Sequence, residues 1–506
     1  MALARIVSGA CIGLEAVRVE IEVDTIQCDK PFLVIVGLPD AAVREAKDRV
    51  LTAIKNSHCE IPLIACTVNL APADLKKEGS AYDLPIALGL LSNLGMIKKQ
   101  ELSSYLMVGE LGLGGQTRPI VGALAYAHLA KELRLKGIIL PSDNGQEAAL
   151  VPGIEVVACH TLQDAIDFFN GKKAALRSLQ QPLSTKPRAP LVDFSEIQGQ
   201  LQAKRAMEIA AAGGHNVILS GPPGTGKSLL AKALVGIMPK LDYEEALEVT
   251  KIYSIAGMLN TAGLIENRPF RSPHHTVSYA GLIGGGSTPR PGEVVLAHHG
   301  VLFLDELPEF SRAVLEAMRQ PLEDRQITIS RASGSMKFPC SCLFVAAMNP
   351  CPCGYLGHPD KACRDTKLQV DRYQKKISGP LLDRIDLHVW VTAVASEDLI
   401  AMHAQESSQV ILERVIQARN RQKQRFGTSK TNAEMSAKEL QRYIPQEGPI
   451  KDLIREAMDS FQMSLRSIHR ALKVAITIQD LAKSDTLKEE HLLEALSFKQ
   501  QEIARV

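Results

Sequence analysis

Three features of the sequence predict a multidomain α/β protein. Residues 1–172 alternate strand-like and helix-like patterns. Near the middle of the chain a glycine-rich motif stands between a short apolar run and a helical stretch. Residues 397–506 are rich in helix formers. With 506 residues and about 150 per domain, the chain has room for about three domains. A composition 45% hydrophobic and 23% charged supplies ordinary cores. The net charge of +2 confines any nucleic-acid grip to local patches. No run reads as a membrane span: residues 84–97 are uncharged, but too few and interrupted by Ser92, Asn93 and two glycines. Ten cysteines with no export signal point to a reducing, cytoplasmic setting.

The first region is predicted strand by strand. Residues 17–23 alternate with period two, and 32–36 form a short apolar run ended by Gly37-Leu-Pro39. Helical periodicity follows over 41–54, then a strand at 63–70, an apolar helix at 84–94 and a buried strand at 137–140. Residues 173–194 carry Pro182, Pro187 and Pro190 among Ser, Gln and Lys, a composition that resists both helix and strand and reads as a linker. Residues 195–396 form the central α/β unit. In 397–506 helices are expected at 453–461, 464–481 and 487–498, with Ser464 and Thr486 as N-caps.

The central motif is Gly221-Pro-Pro-Gly-Thr-Gly-Lys-Ser228, after the run Asn216-Val-Ile-Leu219 and before helical residues 229–238. Gly221, Pro222, Pro223, Gly224, Thr225 and Gly226 make a turn whose backbone N–H groups cradle phosphate oxygens. Lys227 reaches the outer phosphates of ATP, and the Ser228 hydroxyl is a ligand for Mg²⁺. Val301-Leu-Phe-Leu-Asp-Glu306 is an apolar strand ending in two carboxylates. Asp305 is placed to hold Mg²⁺ through water and Glu306 to orient or deprotonate the attacking water. A third apolar strand, 342–348, ends in Asn349, which is either a turn residue or a water- and phosphate-binding amide. Arg384, in Leu381-Leu-Asp-Arg-Ile-Asp386, suits a salt bridge or a reach into a neighbouring subunit's site. Arg466 opens a helix of the last region and is positioned to fold onto the phosphates, with Arg470 as its rival.

This order of motifs resembles the AAA+ ATPases. Asn267-Arg-Pro-Phe-Arg-Ser-Pro-His-His275, Gly284-Gly-Gly286, Pro289-Arg-Pro-Gly-Glu293 and Gly300-Val-Leu-Phe-Leu-Asp-Glu-Leu-Pro-Glu-Phe310 look like the magnesium-chelatase-like branch. Within it the chain resembles the ComM (YifB-like) family over essentially its whole length. That resemblance implies a homo-oligomeric, hexameric ring. It puts Lys227, Ser228, Asp305, Glu306, Asn349, Arg384 and Arg466 in the roles given above. It also implies a DNA motor that extends recombination joints by branch migration during natural transformation.

Two segments are candidates for touching DNA. Residues 327–337 read as a hairpin with Arg331 and Lys337 near its tip; the resemblance extends to MCM-type helicases, in which a hairpin here lines the central pore. The second is the glycine-rich stretch 278–291 with Arg290. Repeated round a ring, such contacts give a salt-sensitive, sequence-independent grip on forked or junction DNA. An aromatic content of 4% favours backbone tracking over base stacking. The basic stretch 414–425 reads as a solvated face, a subunit contact or a nucleic-acid contact.

Cys351, Cys353 and Cys363 supply three thiols for a Zn²⁺ site, with Cys340 and Cys342 on the preceding strand and His358 or Asp365 as candidates to complete it. An unliganded reduced loop is the alternative. Finally, Leu75-Lys-Lys-Glu-Gly-Ser-Ala-Tyr-Asp83 resembles the serine segment of Lon-type peptidases, with Ser80 at the nucleophile position. Leu124 falls where that family carries the base lysine, so the resemblance implies a Lon-like domain without proteolysis. A chelatase-type motor acting on a protein partner and an ATP-dependent peptidase stand as the alternative functions.

Overall fold

In the computed structural model the period-two runs of the first region become one eight-stranded sheet. Ala4–Ile12 and Glu15–Gln27 pair antiparallel. Ile6, Val19, Ile21 and Val23 face the core, while Arg18, Glu20 and Glu22 alternate onto the other face. In strand order, by first residue, the sheet runs Leu176, Glu155, Gly137, Tyr105, Ala4, Glu15, Ile64, Phe32. Helices Ala41–Asn56, Asp83–Asn93, Ala123–Glu132 and Leu162–Phe169 cover it. The Asp83–Asn93 helix is buried almost all round, as its apolar composition requires.

The structure describes residues 3–30, 32–77, 79–172, 176–177, 192–259, 263–285, 290–331, 334–358, 361–392, 405–445, 447–461 and 463–503. They fall into two compact units. The first comprises Met1–Ser184 together with Ala246–Ile265; the second comprises Thr185–Glu245 and Glu266–Val506. Within the region read as a linker, Leu176–Arg177 pairs as an edge strand with Glu155 and Val156, and residues 178–191 lie outside the described residues.

The second unit holds a five-stranded, all-parallel sheet in the order Phe270–Arg271, Val301–Leu304, Leu343–Met348, Val217–Ser220, Leu387–Trp390. All-parallel strands are covered on both faces, which explains why the middle three read as unbroken apolar runs. Helix Leu201–Gly213 packs on this sheet, and the helices Ser408–Phe426 and Leu465–Leu481 pack on that helix in turn. One hydrophobic core therefore runs from Val217, Phe303 and Val345 to Ile468, Leu472 and Phe498. Ser464 caps its helix as expected, accepting from Ser467 N at 3.2 Å. Thr486 does not cap the last helix, which runs Glu489–Ile503; the imidazole of His491 accepts from Lys488 N at 3.1 Å instead.

Candidate active site

The phosphate loop joins the Val217–Ser220 strand to the helix Lys227–Leu234. A Cβ at Gly221 would sit 2.1 Å from Val391 O, and Gly226 has φ +86°, so the loop requires glycine at both places. Pro223 and Gly224 are exposed at the tip. Thr225 donates its hydroxyl to Pro222 O at 3.0 Å and closes the turn. Lys227 is buried, and its ammonium donates to Gly221 O and Pro222 O at 2.7 Å and to Asn349 Oδ1 at 3.4 Å. Burial pulls the Lys227 pKa down to about 8, partly offset by the Asp305 carboxylate.

The sheet order explains why these groups meet. The strand ending at Met348 lies between the phosphate-loop strand and the strand ending at Leu304. Asn349 therefore reaches Lys227 from one side, and Asp305 reaches Ser228 from the next strand. Ser228 Oγ donates to Asp305 Oδ2 at 2.8 Å. A serine hydroxyl donating to a carboxylate in this way suits an Mg²⁺ held directly by Ser228 and through water by Asp305. Glu306 takes left-handed backbone, φ +51°, with its side chain 56% exposed and Oε2 3.5 Å from His275 Nδ1. Such backbone in a non-glycine residue stores strain of a kind that clusters at functional sites. The loop therefore presents Glu306 outward while its neighbour Asp305 turns in.

Arg384 and Arg466 do not join this group. Both bond the carboxylate of Glu323: Arg384 through Nη2 to Oε2, and Arg466 through Nη2 to Oε1 at 2.9 Å. The Arg384 hydrogen bond, reinforced by the charge of Arg466, holds the Glu323 carboxyl below its usual range. Arg384 also donates to Pro380 O at 2.6 Å. Arg466 thus meets Arg384 rather than the phosphate loop of its own chain. Its rival Arg470 is tied to Asp386 Oδ1 at 3.1 Å, beside buried His215, and cements the helical region to the sheet.

Glu323 stands just before a hairpin, Gln326–Arg331 paired with Gly334–Pro339. Lys337 is exposed on it; the backbone of Arg331 ends its first strand, and the Arg331 side chain lies outside the described residues. Arg290 is paired through its backbone with Gly285, and its side chain is likewise outside them. The basic helix is committed inward. Arg414 bonds Glu208 and Glu406, Arg419 donates to Ala211 O, Arg421 to Ser484 O, and Arg425 to Asp480, which leaves Lys423 exposed. All four arginines are thus spent at least in part on the domain's own packing, with the Arg414 and Arg421 side chains 35% and 31% exposed.

Past Asn349, Cys351, Cys353 and Cys363 converge with Asp365; Cys340, Cys342 and His358 are not part of that group. In the first unit, Ser80 donates its hydroxyl to Glu110, Leu124 is buried, and the fully buried Lys77 donates to Pro72 O. Sequence reasoning did not single out His275 or Glu323. His275 lies in the quoted 267–275 motif, and only three-dimensional contact assigns it to Glu306. Glu323 carries no local signal beyond an acid before a hairpin.

A parallel sheet with one strand inserted between the phosphate-loop strand and the acidic strand, an Asn at that inserted strand's tip and a helical region behind define a AAA+ ATPase. Residues 193–399 match the family described as magnesium chelatase, subunit ChlI. Residues 21–144 and 405–499 match the descriptions subunit ChlI of Mg-chelatase and magnesium chelatase, subunit ChlI C-terminal. The chain belongs to this family. It is 41% identical to YifB of Salmonella typhimurium over 99% of this chain and 97% of that one. It is 40% identical to the competence protein ComM of Haemophilus influenzae over 99% and 98%. A shorter similarity, 31% over 170 residues, links it to Lon protease 2 of Bacillus subtilis; it spans 32% of this chain and 30% of that one.

Proposed function

We propose that this protein is an ATP-driven DNA motor of the cytoplasm that assembles as a hexameric ring and extends junctions by branch migration during natural transformation. The contact that carries this reading is the meeting of Arg384 and Arg466 on Glu323, at the foot of the basic hairpin. A neighbouring subunit's triphosphate competes with Glu323 for the two guanidiniums. Binding and release of that triphosphate then pull on the hairpin that carries Arg331 and Lys337, and those two residues grip DNA phosphates.

In this reading the loop 221–226 and Lys227 hold the triphosphate, and Ser228 and Asp305 hold Mg²⁺. The ion neutralises phosphate charge. Glu306 orients the attacking water, with His275 positioning its carboxylate, and Asn349 senses the γ-phosphate. The helical region 397–506 serves as the lid. The Haemophilus relative is a competence protein, which supports the DNA assignment.

A chelatase-type motor that remodels a protein partner is the second reading, favoured by the family description. A peptidase is disfavoured, because Ser80 faces the carboxylate of Glu110 rather than a lysine. ATP turnover with and without forked DNA, with casein cleavage in parallel, separates them. Forked DNA is expected to bind and to raise turnover with no casein cleavage. DNA that neither binds nor stimulates would contradict the motor reading.

A further inference from the structure

The chain leaves the Asn349 strand through Pro350 into a loop where three sulfurs and a carboxylate converge. Cys351 Sγ lies 3.4 Å from Cys353 Sγ, and Cys363 Sγ lies 3.6 Å from both. Asp365 Oδ2 is 3.9 Å from Cys363 Sγ and accepts from Cys353 N at 2.8 Å. All four ligand atoms lie within 4.8 Å of one another. Sulfurs about 2.3 Å from a tetrahedral zinc ion are separated by about 3.8 Å, and a carboxylate oxygen about 2.1 Å from the metal closes the remaining edges at about 3.6 Å. Four of the six edges match these values to within about 0.4 Å, and the two from Asp365 to Cys351 and Cys353 are under 4.8 Å. The sulfur spacings are far from that of a disulfide, about 2.05 Å.

Backbone amides surround the sulfurs. The backbone N–H of Leu356 faces the Cys351 sulfur, and those of Tyr355 and Arg364 face the Cys353 sulfur. Amides aimed at sulfur favour the ionised ligand and fix its direction. Gly354, with φ +81°, reverses the chain so that the amides after it point back at the cysteines. Three soft thiolates and one carboxylate in a tetrahedral arrangement select zinc over calcium or magnesium, and four protein ligands leave no open position for catalysis.

The same loop touches the nucleotide pocket. A Cβ on Gly354 would come within 2.8 Å of Pro223 Cδ in the phosphate loop, and 3.9 Å from Asn349 Cγ. Cys363 and Asp365 line a cavity of about 580 Å³ with Ser220, Met348 and Trp390, at the ends of the three adjacent strands. We propose that Cys351, Cys353, Cys363 and Asp365 bind one structural zinc ion that braces the loop carrying Asn349 against the phosphate loop.

The test is metal content, which reads the same whether or not the protein moves DNA. Full-length protein is purified without chelator, passed over a chelating resin and measured by mass spectrometry of the elements; about one zinc per chain is expected. Cys363→Ser and Asp365→Ala should fall below about 0.2 per chain, and Asp365→Cys, which keeps four ligands, should stay near one. Refilling stripped wild type with Co²⁺ should give thiolate-to-metal charge transfer and intense tetrahedral ligand-field bands, shifted in Asp365→Cys. The wild-type readings decide the matter even where a variant misfolds. Wild type holding less than about 0.2 zinc and showing no tetrahedral cobalt spectrum overturns the site. Full zinc in Asp365→Ala overturns Asp365 as the fourth ligand.

Discussion

Each unit of the chain carries a serine hydroxyl bonded to a carboxylate and a buried lysine donating to backbone carbonyls. In the first unit these are Ser80 with Glu110, and Lys77 on Pro72 O. In the second they are Ser228 with Asp305, and Lys227 on Gly221 O and Pro222 O. The groups are alike and the settings are not. Ser228 opens a helix with no acidic residue in its first turn, so the positive end of that helix is open to a phosphate. Ser80 precedes a helix whose first turn holds Asp83, fully buried and paired with Arg49 at 2.9 Å. There the field of the helix is spent on an internal anion. The comparison teaches that a hydroxyl, an acid and a lysine make a nucleotide site only where the backbone around them is also free to take an anion.

The largest effect that could break this contrast comes from the lysines. Lys227→Ala should lower ATP affinity by at least about 100-fold, or about 3 kcal/mol, since a buried charge-assisted contact is lost. Lys77→Ala should leave ATP affinity unchanged and lower the unfolding midpoint. Equilibrium binding of a fluorescent ATP analogue and thermal unfolding check both. Equal losses of affinity would end the distinction.

The arginines held by Glu323 act on turnover rather than on affinity. Arg384→Ala should cut turnover by about 1000-fold, as expected when an arginine that stabilises phosphoryl transfer is removed. Mixed one to one with Lys227→Ala chains, it should recover activity at about a quarter of the interfaces, because random mixing places the two intact halves together that often. No recovery would place Arg384 in its own chain's site. Glu323→Gln is the milder probe. Its carboxylate is 46% exposed. Release of the arginines should therefore change basal turnover only about two- to fivefold upward, in line with partly exposed ion pairs. Stimulation by DNA should be lost, because the tie to the hairpin is cut.

The smallest expected effect is a proton. Burial leaves Lys227 with a pKa of about 8 before nucleotide arrives. A bound triphosphate favours the charged amine and raises that value, so binding takes up a proton when pH lies above about 8 and takes up little below about 7. Affinity should fall as pH rises past 8. Titration calorimetry in buffers of different ionisation heat measures the uptake, and uptake that does not vary with pH would contradict it.

Much of this was legible in the sequence because it is local. The phosphate loop, the strand ending in Asp305 and Glu306 and the strand ending in Asn349 each show a continuous apolar run with chemistry at its tip. What was not legible depends on pairing across the fold. The insertion of the Asn349 strand between the other two sets which side chains meet, and no period along the chain encodes it. Arg466 was expected over the phosphates and lies with Arg384 on Glu323, 143 residues away in sequence. The basic helix showed its charge but not its partners, since Glu208 and Asp480 sit on other helices. Asp365 could be offered only as one candidate beside His358 until the loop's reversal at Gly354 brought it to the cysteines.

The most direct test of the central claim is conversion of a labelled four-way DNA junction by the full-length protein. Wild type with ATP and Mg²⁺ should move the branch point and release duplex products. Glu306→Gln should bind both ATP and the junction yet leave the junction intact. A junction untouched by wild type, or converted equally well by Glu306→Gln, would contradict an ATP-driven DNA motor.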